Sequence, residues 1–173
     1  MLIFSQDGRF LFYKTHLIAF GMVSLIACRP KEIELPFQTI ERRQTAGTGE
    51  IWEPREPGLM IIASRDDLVK INDLFTKGAQ TRLNDLDFET SFAIAAFLGW
   101  QPRGHEGLEI IRLTYKNDEV KVFARVGNPS TEDAVTSPYH LIIVRKDTEW
   151  NRKISFTLYL NNIPALSLSH FIP

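Results

Sequence analysis

Four histidines, one cysteine and a few clustered carboxylates are the residues of this chain with chemistry to offer. Their spacing narrows what that chemistry is. The histidines are His16, His105, His140 and His170. A metal site needs several ligands brought to one point, as HExxH does on a helix, and no such spacing occurs. His105 and Glu106 are adjacent, and neighbours on an extended strand face opposite ways. Only a bent loop would let the two share an ion with His140. His140 heads an apolar run and reads more simply as a histidine bonded to backbone at a strand end. A hydrolase needs a nucleophile, a base and a group that orients the base. No serine lies in a G-x-S-x-G elbow, and Ser130 and Ser137 sit in a stretch that turn chemistry explains. Asp85, Asp87 and Glu89 lie in a polar connection where capping or solvation accounts for them. "AGTG" at 46–49 lacks the Lys and Ser/Thr of a phosphate loop. The expectation is a protein without catalytic residues, metal or cofactor, with an uncharacterised enzyme as the second alternative.

Cys28 is the only cysteine, so the chain has neither an internal disulfide nor a cysteine-based metal site. It closes the run "LIAFGMVSLIA" at 17–27. As a helix that run would rise about 16 Å, half a bilayer's hydrocarbon core: too short to span, but the length of a signal h-region. Arg9, Lys14 and His16 precede it as a positive n-region. Leu25-Ile26-Ala27-Cys28 then resembles a bacterial lipobox. In proteins with this pattern the thiol takes a diacylglycerol and the chain is cut just before it. Two or three acyl chains give stable anchorage where one is marginal. The alternative is that 17–27 is a buried element and Cys28 an ordinary core thiol. The division expected is a lipoprotein signal peptide over 1–27, a proline-bearing charged tether over 28–36 with lipid on Cys28, and a single domain over 37–173. That places the protein in the cell envelope, facing periplasm or exterior.

The elements that must position any site come next. Hydrophobic residues make up 44% and charged residues 24% of 173, the usage of an ordinary globular domain. A formal net charge of −1 leaves no basic field for a phosphate backbone, so nucleic-acid binding is not expected. "FQTIERR" alternates as a strand, 44–58 reads as a long loop carrying Trp52, and "LMIIA" is a short apolar strand. Ser64 and Asp67 open a helix whose stripe is Leu68, Ile71, Leu74 and Phe75, with an end at Lys77-Gly78. "SFAIAAFLG" reads as a central strand in the phase Phe92, Ile94, Ala96, Leu98. "LEIIRLTY" and "EVKVFARV" form a hairpin around "KND", and "YHLIIVRK" and "KISFTLYL" are two further strands. The late connections are too short for crossovers, so antiparallel pairing should dominate. The expected fold is α+β: a mainly antiparallel β-sheet or small β-sandwich of about seven strands with one packed helix.

Residues 87–146 carry a likeness. Asp87-Phe88 stands before an apolar strand ending in Gly99. A loop with Pro102 and Gly104 follows, then a hairpin, then Pro138-Tyr139-His140 leading into another apolar strand. This order resembles the PrcB-like family of bacterial protease-complex stabilisers, and the upstream helix extends the likeness to 37–146. The loop departs from the family's Pro-Thr-Gly-Gly-Tyr: here it reads "QPRGHEG", with Arg103, His105 and Glu106. The resemblance implies a secreted or surface-anchored accessory domain that binds a protein such as a secreted protease and stabilises or localises it. A loop-mediated protease inhibitor is the alternative. The candidate partner-binding residues are Trp52, Trp100, Arg103, His105 and Glu106, with Tyr139 and His140 from the matching motif.

Overall fold

A computed structural model describes residues 31–44, 55–101, 107–129, 135–146 and 150–173. The signal segment, Cys28, Trp52, Arg103, His105 and Glu106 lie outside those residues. The described chain forms nine strands and two α-helices in two sheets. β1 (Ile33–Glu34), β5 (Leu108–Lys116), β6 (Glu119–Val126), β8 (Arg152–Leu160) and β9 (Ile163–Ile172) form one sheet in the order β1-β5-β6-β8-β9. β2 (Phe37–Arg43), β7 (Tyr139–Arg145), β4 (Ser91–Phe97) and β3 (Gly58–Ile62) form the other, in the order β2-β7-β4-β3. The fold class is the expected α+β sandwich.

Side-chain parity on the four-stranded sheet decides the layering. Its face toward the other sheet carries Phe92, Ile94 and Ala96 from β4, with Leu59 and Ile61 from β3 and Ile142 and Val144 from β7. These meet Leu113, Val122, Ile154, Phe156 and Leu158 across the sandwich. The opposite face carries Ala93, Ala95 and Phe97, with Ile62, Tyr139 and Leu141. The helices cover that face with Leu68, Leu74, Phe75, Ala79 and Leu83. β4 is therefore buried along its whole length, which explains why its sequence is a continuous apolar run and not an alternation.

Four features differ from expectation, each for a local reason. The expected single helix is two: α1 (Arg65–Ile71) runs into a 3₁₀ turn, and α2 (Lys77–Asn84) starts where an end was expected. Thr76 is extended (ψ 159°) and its hydroxyl accepts the Ala79 N–H at 3.3 Å, so it acts as the N-cap. Lys77-Gly78 thus opens a helix and does not close one. The expected tether joins the fold from residue 33. Ile33 and Glu34 pair with Tyr115 and Thr114, and Leu35 is 2% exposed. β9 had no counterpart among the expected strands. Asn161 and Asn162, at φ 49° and 68°, make the tight turn that returns it along β8. Finally, β6 and β8 pair in parallel. β7 intervenes in the other sheet, and two reversals bring β8 back in the direction of β6. A strand acts as the crossover.

Candidate functional site

Strand direction gathers the long loops. β2 ends, β3 begins, β4 ends and β7 begins at one end of the four-stranded sheet, where Gly58 pairs with Phe97 and Phe97 with Tyr139. The described roots of the connections after β2, β4 and β6 therefore lie at that end. These roots are tied to one another. The Trp100 N–H donates to the Arg55 carbonyl at 2.9 Å. Gln101 and Thr136 exchange bonds of 2.8 and 3.1 Å, and the Ser137 N–H reaches the Gln44 carbonyl at 3.0 Å. The Gly127 N–H closes on the Gly107 carbonyl at 2.9 Å.

Gly99 makes the closest of these approaches possible. Its φ is +79°, and a Cβ there would lie 2.5 Å from the Arg55 carbonyl oxygen. Only glycine tolerates both conditions. The clasp sets the Arg55 guanidinium 4.6 Å from the centroid of the Trp100 ring. Trp100 stays 44% exposed, and Val135 on the neighbouring root is 62% exposed. A cleft of about 350 Å³ opens at the same end, lined by Arg42, Gly107, Glu109, Arg125, Gly127 and Asn128. Arg42 and Arg125 both meet the Glu109 carboxylate, at 3.0 and 2.5 Å. The bond from Arg125 holds the Glu109 carboxyl below the usual range against the opposing effect of burial, and Arg42 adds to it.

Tyr139 and His140, expected as partner contacts, are 1% and 2% exposed and fasten the layers together beneath this end. His140 shares the parity of Ile142 and so faces the other sheet. Its Nδ1 accepts the Ile110 N–H at 2.8 Å, beside the bulge in β5. Nδ1 is therefore bare in the neutral ring, and Nε2–H donates to Thr39 Oγ1 at 2.9 Å. Burial, with Arg42 nearby, lowers the His140 pKa to about 4, only partly opposed by Glu109. Tyr139 points the other way. Its hydroxyl donates to Glu41 Oε2 at 2.5 Å, and Thr76 Oγ1 donates to Glu41 Oε1 at 2.8 Å. Burial, then the Glu41 carboxylate, pushes the Tyr139 phenol well above its ordinary value. These residues brace the loop end from inside.

A second cluster was missed in the sequence. Ser64, Asp67 and His170 meet where α1 starts beside β9. The Ser64 hydroxyl donates to Asp67 Oδ2 at 2.9 Å, and His170 Nε2 lies 3.1 Å from the same oxygen. The carboxylate stands between hydroxyl and imidazole, so the imidazole cannot take the serine proton, as a hydrolytic triad requires. Burial favours the neutral Asp67 carboxyl, but Ser64, the Ala63 N–H and His170 outweigh it and lower the pKa. The Leu166-Ser167-Leu168-Ser169 alternation before His170 was the available signal for β9. Asp87 accepts the Glu89 N–H at 3.0 Å and the Thr90 hydroxyl at 2.8 Å, a local turn-capping role. Among the described residues no group of three or more His, Cys, Asp or Glu is placed to hold a metal ion. Comparison of the chain with protein-family models, with curated proteins and with solved structures finds no match.

Proposed function

We propose that this protein is a lipid-anchored bacterial envelope protein whose sandwich domain binds a secreted protease through its loop end and stabilises or localises it. The observation that carries the binding reading is the convergence of the described roots of three connections on one end, with Trp100, Arg55 and Val135 exposed there. Aromatic and arginine side chains on a rigidly held rim are the residue types that anchor protein interfaces. The anchor rests on the lipobox-like Leu25-Ile26-Ala27-Cys28, and the nature of the partner on the likeness over 87–146. The mechanism is mass action: a partner that binds only the folded protease raises its stability by RT ln(1 + [L]/Kd), and anchoring raises the local concentration.

The test is affinity capture of the full chain from detergent-solubilised membranes of its host, with mass spectrometry of the N-terminus. The captured protease is then assayed with and without added protein. A lengthened activity half-life, an acylated Cys28 at the N-terminus, and loss of both capture and protection in Arg55→Ala/Trp100→Ala are expected. An intact Met1, or capture unchanged in the double variant, overturns the anchor or the loop-end site respectively. A fall in initial rate in place of a longer half-life assigns inhibition.

A further inference from the structure

We propose that this protein self-associates by pairing β9 with β9 of a second copy, joining two five-stranded sheets across a two-fold axis. A free strand edge is a row of unpaired N–H and C=O groups, and folded proteins usually shorten, charge, bulge or cover it. Three of the four sheet edges show such a device. β1 is two residues long. β2 is bulged between Thr39 and Glu41, carries Glu41, Arg42 and Arg43, and has its Thr39 and Ile40 carbonyls taken by Arg82 Nη1 at 3.4 and 3.0 Å. β3 is five residues long with α1 and β9 beside it. β9 differs: it is ten residues long and pairs only with β8 among the described residues.

The composition of that edge selects its occupant. β9 contains no Lys, Arg, Asp or Glu, and its one titratable side chain, His170, is turned to Asp67. Pro164 and the irregularity after Leu158 blunt only its start. Residues 166–172 then offer about 24 Å of edge at 3.4 Å per residue with no second ladder among the described residues, β3 and the start of α1 lying near its His170 end. Leu166 and Leu168 point toward the core, yet both stay half-exposed among the described residues. Ser167 and Ser169 point outward, and Ser167 Oγ already lies 2.9 Å from Thr157 Oγ1. In an antiparallel pair, residues directly opposite share a face. A two-fold register that sets like parity opposite like parity puts leucines beside leucines and extends the hydroxyl row, with no like charges opposed. Exposed Phe171 (54%) and Ile163 (69%) flank the seam and gain cover from the second copy. A strand from an unrelated protein would need to supply the same alternation; a second copy has it by identity.

Sedimentation velocity on the full chain in a mild detergent tests this. The unaltered protein is expected to sediment as a dimer at about 10–100 μM. Ser167→Lys places like charges at the seam and shifts the protein to monomer. Mixing Ser167→Lys with Ser167→Glu restores the dimer. Ser169→Lys, on the same face, gives the same monomer should Ser167→Lys fold poorly by circular dichroism. A monomeric unaltered protein across that range overturns the proposal, including when it captures another protein's extended segment. Dimers that persist in both lysine variants overturn it equally, since they place the interface elsewhere. The loop-end site is tested by its own variants, so either reading can fail alone.

Discussion

His140 shows how one side chain in this protein couples position to pH. Its Nδ1 holds the Ile110 N–H of the opposite sheet, an interaction the imidazolium cannot make. The folded-state pKa is about 4 against an ordinary 6.5, so the unfolded chain takes up the proton first as pH falls. Stability from this residue is fully present above about pH 6.5 and drains away between there and pH 4. The whole shift is worth about 3 kcal/mol. Urea midpoints at pH 7 and pH 4.5 should fall more steeply for the parent than for His140→Gln, which does not titrate. Equal slopes in the two proteins would remove this account. The neighbouring Glu109 carboxyl is itself held low by Arg125. A histidine at the head of an apolar strand was visible in the sequence. The bond partner was not, because Ile110 is thirty residues away on the other sheet.

At the scale of elements, two glycines separate backbone constraint from side-chain space. Gly99, at φ +79° and against the Arg55 carbonyl, holds the clasp between two loops. Gly99→Ala should cost about 1–3 kcal/mol and weaken partner capture, since the Trp100 N–H loses its seat. Gly78 lies in the first turn of α2, where an added Cβ meets only Thr76 Oγ1 at 3.9 Å. Gly78→Ala should therefore stabilise by about 0.4–1 kcal/mol, read as a rise in thermal midpoint. The same Gly78 was the misleading signal for a helix end. Lys-Gly after an apolar stripe is the usual terminus, and the Thr76 cap that reverses the meaning draws its strength from Glu41 on β2, a partner thirty-five residues away. The capping box at Ser64 and Asp67 was readable because its groups lie within one turn.

The whole molecule depends on the slab between the two sheets. Phe92 is fully buried there, with its ring centroid 5.3 Å from that of Trp150 and 6.1 Å from that of Phe156. Phe92→Ala removes the contact joining β4 to β8 and should cost about 3–5 kcal/mol in chemical denaturation, with loss of the loop-end site as a consequence. The sequence by itself determined the α+β class, most strands, the hairpin turn at Asn117-Asp118 and the core phase of β4, because period and turn chemistry are local. The tertiary structure alone decided which strands became neighbours: the parallel match of β6 with β8, the capture of Ile33 and Glu34 by β5, and the return of β9 along β8. It also moved Tyr139 and His140 from candidate surface to interior and tied the described roots of three separated loops together at one end. Pairing depends on contacts between residues far apart in the chain, and those contacts exist only once the layers have closed.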